Sequence, residues 1–103
     1  MQEVVYKDPE AKQNYTVDFT DILDDADSTL TGETAVATKT DGTTDATVID
    51  TLSKSGLVLT VPLKAGSDGE DYVIIIKATG NSSGLIGVAS LEMRVRVEEI
   101  GNF

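Results

Sequence analysis

The strictest pattern in this chain is an alternation near its C-terminus, where Leu91, Met93, Val95 and Val97 interleave with Glu92, Arg94, Arg96 and Glu98. Successive side chains of an extended strand point to opposite faces, so a period of two that sorts apolar from charged residues fits a strand with one buried face. The same period recurs in Tyr15, Val17 and Phe19 against Asn14, Thr16, Asp18 and Thr20, and "GLVLTVPLK" sets Leu57, Leu59, Val61 and Leu63 on one side. No stretch repeats apolar residues at three-to-four spacing over a useful length. Only "DILDDADSTL" suits helix, and for about one turn.

The remaining segments fill in a β architecture. Val4 to Tyr6 reads as a short first strand. Pro9 cannot donate to a ladder and biases Asp8 towards extended backbone, so Lys7 to Gln13 reads as a link to the next strand. "DYVIIIKA" is apolar on both faces and suits a central strand, whereas Pro62 suggests an edge or a strand terminus. "ETAVATK" and "ATVIDTL" are β-compatible, with "TDGTTD" between them as a hairpin turn whose tip is Asp41-Gly42. Seven short strands separated by Gly, Asp, Asn and Ser turns predict an all-β chain: one immunoglobulin-like Greek-key β-sandwich domain over residues 1–103. In such a sandwich Tyr72, at the start of "DYVI" after "GSDGE", takes the place of the corner tyrosine that bonds back to upstream backbone. The expected core is Tyr15, Val17, Phe19, Leu59, Val61, Ile74, Ile76, Leu91, Met93 and Val95.

Composition narrows the chemistry. The chain has no His and no Cys, which removes the commonest general base, the commonest neutral metal ligand, thiol nucleophiles and disulfides. No serine lies in a recognisable nucleophile motif. We therefore expect no enzyme, no catalytic residues and no cofactor. Asp24, Asp25 and Asp27 put three acids within four residues, a pattern weighed for calcium, but the spacing lacks the Gly and distal Glu of an EF-hand loop, so no metal site is expected. A formal net charge of −10 opposes a phosphate backbone or an anionic membrane, and three Tyr, two Phe and no Trp leave few stacking platforms. Neither nucleic acid nor membrane is an expected partner. "GNSSGLIG" lacks a phosphate-loop context and reads as a hairpin connection. The opening "MQEVVYKDPE" carries charges and no long apolar run, so no signal peptide is expected.

Two stretches carry a family resemblance. Lys7-Asp8-Pro9, then Tyr15-Thr16-Val17-Asp18-Phe19-Thr20-Asp21 with Leu23, and later Gly66, Gly69 and Tyr72 followed by Gly84 and the alternating Leu91 to Val97, resemble small immunoglobulin-like structural proteins of tailed bacteriophages, the fibre-tail adaptors and related tail components. The chain departs from them where Phe19 and Val36 stand, positions at which that family usually and often, respectively, carries Trp. The resemblance implies a non-enzymatic virion protein made in the host cytoplasm, acting through contacts with other phage tail or virion proteins, with a homo-oligomer in the assembled particle as a further option. A bacterial immunoglobulin-like binding or adhesion module is the alternative. Val73 and Ile75, apolar yet on the opposite parity from Tyr72, Ile74 and Ile76, are the expected protein-contact residues.

Overall fold

The computed structural model describes residues 3–23 and 25–97, so Asp24 and Glu98 lie outside the described residues. Seven strands form two sheets: β1 (Glu3–Lys7), β2 (Gln13–Asp18), β3 (Leu30–Lys39), β4 (Ser53–Ser55), β5 (Val58–Leu63), β6 (Asp71–Gly80) and β7 (Ile86–Val95). One sheet has the order β1-β7-β6-β3 and the other β2-β5-β4. All pairings are antiparallel except β1 with β7, which run parallel from Glu3↔Leu91 to Lys7↔Val95.

The period-two segments supply the interior. Tyr72, Ile74, Ile76 and Ala78 of β6 and Leu91, Met93 and Val95 of β7 meet Val17, Leu59, Val61 and Leu63 of the other sheet in one buried cluster. Nine of the ten expected core residues are buried, and Tyr15 is half-buried against the cluster. Phe19 follows β2 directly and is fully enclosed, with its backbone N–H donating to Leu57 O at 2.9 Å. Its ring rests on bare backbone across the sandwich: a methyl added to Gly87 would lie 2.6 Å from Phe19 Cδ1 and 3.0 Å from Ile22 Cγ2.

Three local readings change. The segment from Ala46 to Leu52 is not a strand. Asp45 caps a single 3-10 turn at Ala46–Val48 by accepting from Thr47 N, and Asp50 N and Lys64 N then tie the segment to the end of β5 through Pro62 O and Val48 O. The fourth strand is instead Ser53–Ser55, three exposed residues with no apolar pattern to betray them. Lys7 belongs to β1 rather than to the link, and it is only 2% exposed. Its ammonium is satisfied by Asp8 O at 2.7 Å and Ala65 O at 2.6 Å, and burial pulls its pKa below the ordinary lysine value. The link itself opens with a turn in which Ala11 N donates to Asp8 O, with Pro9 at the second position that its fixed φ favours.

Pro62 lies inside β5, the middle strand of its sheet, without breaking it. The N and C=O of one strand residue point to the same side, and Pro62 O accepts from Asp50 N. The absent N–H therefore faces the side where β4, paired only as far as Thr60, has already ended. The sequence suggested an edge or a strand terminus; Pro62 instead sits in the middle strand, where the segment at Ile49 and Asp50 takes over the side that β4 has left.

Because Phe19 is enclosed, Phe19→Ala should destabilise the chain by about 3–5 kcal/mol in urea unfolding, and Gly87→Ala by about 1–3 kcal/mol through overpacking of the same contact. A loss below about 1 kcal/mol for Phe19→Ala would show that the ring is not enclosed between the sheets.

Candidate contact face

The two outer faces of the sandwich differ in kind. Register places Asn14, Thr16 and Asp18 of β2, Val58, Thr60 and Pro62 of β5 and Ser53 and Ser55 of β4 on the outside of the three-stranded sheet; its two apolar members are half-buried (Val58) and buried (Pro62), so what this face exposes is polar. On the four-stranded sheet the outward positions are Val4 and Tyr6 of β1, Ile86, Val88 and Ser90 of β7, Val73, Ile75 and Lys77 of β6, and Thr34 and Val36 of β3. Six of the nine exposed large apolar residues among those described fall there, including Val73 at 39%, Val88 at 53% and Ile86 at 63% exposure. Ile75 is half-buried between its cross-strand neighbours Val36 and Ser90.

Charge on this face is balanced. Asp71 and Glu92 stand with Lys77 and Arg94 on the paired strands, and Arg96 just past β7 joins them through Asp71, so the face carries none of the acidic surplus behind the net charge of −10. Arg94 Nε donates to Glu92 Oε2 at 2.6 Å, and its guanidinium lies 5.8 Å from the Tyr6 ring centroid while Nη1 donates to the Tyr6 hydroxyl at 3.2 Å. Asp71 pairs with Arg96 at 2.9 Å. Of these residues the sequence singled out Val73 and Ile75. Val4, Val36, Ile86 and Val88 carried the same signal, an apolar residue on the parity opposite the core.

Tyr72, between these outward positions, points inward and is buried. Its hydroxyl donates to Asp45 Oδ2 at 3.4 Å and also meets the Ser67 backbone five residues upstream. Burial, reinforced by the Asp45 charge, holds the phenol protonated beyond its usual range. Asp45 thus caps the 3-10 turn with one oxygen and accepts from Tyr72 with the other, and the bond to Thr47 keeps its own pKa low.

The acidic loop is a clasp. Asp27 is buried and accepts from Ser82 N at 2.9 Å, Ser83 N at 2.8 Å and Ser83 Oγ at 2.6 Å. In return Asn81 Oδ1 accepts from Ser28 N and Thr29 N. The "GNSSG" connection between β6 and β7 is therefore locked to the loop before β3. Gly80 makes room for it, since a Cβ there would fall 2.1 Å from Asp27 Oδ2. Asp25 is exposed, and among the described residues no three acids are grouped to hold a metal and no cavity is found. No helix among them is long and apolar enough to cross a membrane.

Three experiments test these bonds. Asp27→Ala should cost about 1–3 kcal/mol by leaving buried donors without an acceptor, with Asp27→Asn milder. Gly80→Ala should cost less in the Asp27→Ala background than alone, and additive losses would show that the two residues do not touch. For Tyr72, a raised folded pKa means stabilisation that is complete below the ordinary value of 10.0 and lost as pH rises above it, because the unfolded chain ionises first. Urea midpoints should therefore fall from pH 9 to pH 11 more steeply in the parent than in Tyr72→Phe.

Comparison with known proteins adds one relationship. Residues 7–94 match the family model described as podophage GP4 fiber-tail adaptor protein gp77. No curated protein matches the sequence.

Proposed function

The chain belongs to the podophage GP4 fiber-tail adaptor protein gp77 family, and from that premise we propose that it is a non-enzymatic virion component joining tail parts through protein–protein contact. The observation that carries this reading is the gathering of exposed Val4, Tyr6, Val36, Val73, Ile86 and Val88 on one outer face while the other outer face is polar. An apolar face of this extent is the mark of an interaction surface. Val73 and Ile75 lie on β6, a central strand of that face, and are the contact residues.

The absence of His and Cys from the sequence supports an assembly role over catalysis, and the strongly negative charge disfavours nucleic acid and anionic membrane as partners. Synthesis in the host cytoplasm followed by incorporation into the particle fits that role. The sheet orders support an immunoglobulin-like assignment: β2-β5-β4 and β7-β6-β3 correspond to the B-E-D and G-F-C strands of that fold, with β1 moved beside the last strand. On this assignment Tyr72 opens the sixth strand as its corner tyrosine, and the chain forms one domain.

Val73→Asp combined with Ile75→Asp should leave the melting temperature within a few degrees of the parent yet remove the protein from particles assembled on a phage genome carrying the variant. Variant particles containing the protein at the parental copy number would overturn the reading.

A further inference from the structure

The charges on the apolar face have an arrangement that a random surface would not need. Lys77 lies opposite Val88, and Glu92 lies opposite Val73, so the two sit at equal distances on either side of the Ile75↔Ser90 pair, one on β6 and the other on β7. Among the described residues Lys77 has no ion-pair partner, and Glu92 engages Arg94 through Oε2. From this placement we infer that the face pairs with a second copy of the same chain about a two-fold axis crossing above Ile75 and Ser90. This deepens the adaptor reading and rests on it.

A two-fold interface brings residue i of one copy to j of the other and j to i. With the axis in the plane between two stacked sheets, Lys77 of each copy faces Glu92 of the other, twice. The same operation sets Ile75 near its own counterpart, Val73 towards Val36 and Val88 towards Val4. Strands of the two copies then cross at roughly 40°, near the roughly 30° of aligned sheet stacks, which also fits the spacing at which a lysine spans the gap. Four strands of up to ten residues offer about 600 Å² per copy, so the pair buries about 1,200 Å² in all, the small end of specific interfaces. Net charge argues for the same occupant. This is a face without acidic surplus on a chain of −10, and it lets two copies meet where their mutual repulsion is least.

Sedimentation equilibrium over a concentration series tests the pairing, with melting curves to show that each variant is folded. The parent should dimerise. Lys77→Glu alone and Glu92→Lys alone should each weaken dimerisation at least tenfold, since one sets Glu against Glu and the other Lys against Lys. An equimolar mixture of the two variants should dimerise again, because each contributes the sign the other now lacks. A mixture that stays monomeric, or a Lys77→Glu protein that dimerises like the parent, overturns the two-fold pairing. A parent that is monomeric throughout, while Val73→Asp with Ile75→Asp still fails to enter particles, assigns the face to a different tail protein. That result would end the self-pairing and leave the adaptor reading standing.

Discussion

Everything in this sandwich hangs on the two sheets gripping each other, and the Phe19 ring lying on the bare backbone of Gly87 is one such grip. Phe19 leaves the end of β2 and crosses to β7, so one side chain joins the smaller sheet to the larger. The contact needs both partners: an aromatic ring large enough to reach, and a residue with no side chain to stand on. Leu23 and Ile22 close the rim through the turn in which Ile22 N and Leu23 N both donate to Phe19 O at 3.0 Å. Burial of an aromatic side chain is among the largest single contributions a core of this size contains.

What the sequence disclosed follows from where the physical signal is local. β2, β5 and β7 were legible because alternation is written into consecutive residues, and β6 because a run apolar on both faces suits a central strand; at Asp41-Gly42 the turn was legible, with Gly42 at a φ of 90°, but not the hairpin, since only an isolated Thr38↔Thr44 bridge follows it. Ser53–Ser55 was not, since a three-residue exposed strand has no buried face to pattern. Ala46 to Leu52 misled because Val and Ile content matches a strand, while the bond that Thr47 N donates to the Asp45 carboxylate turns the chain first. The Asp27 clasp and the Lys7 anchor were illegible for a different reason. Their partners are 55 to 58 residues away, and nothing near either residue announces them.

The apolar outer face sits between these cases. Its parity was visible in β6, where Val73 and Ile75 break an otherwise one-sided strand, but its extent required the register of β1, β3 and β7. Only the pairing of four strands reveals that scattered valines share a surface, and that acids and bases on it balance. The contrast with the polar three-stranded sheet shows that the apolar residues are a property of one side of the molecule.

The parallel pairing of β1 with β7 has a mechanical consequence. Chain preceding Glu3 and chain following Val95 depart from opposite ends of the paired strands, so a lengthwise pull on the two would slide one strand along the other. The ladder bonds between Glu3↔Leu91 and Lys7↔Val95, with Arg96 N donating to Lys7 O at 2.9 Å beyond them, would then be loaded together. An antiparallel pair in the same place would unzip one bond at a time from the pulled end. Rupture in shear requires a concerted break, and resistance to force is set by that barrier rather than by equilibrium stability. The buried ammonium of Lys7, donating to Ala65 O, adds a tie between β1 and the loop after β5 that the same slip would have to break.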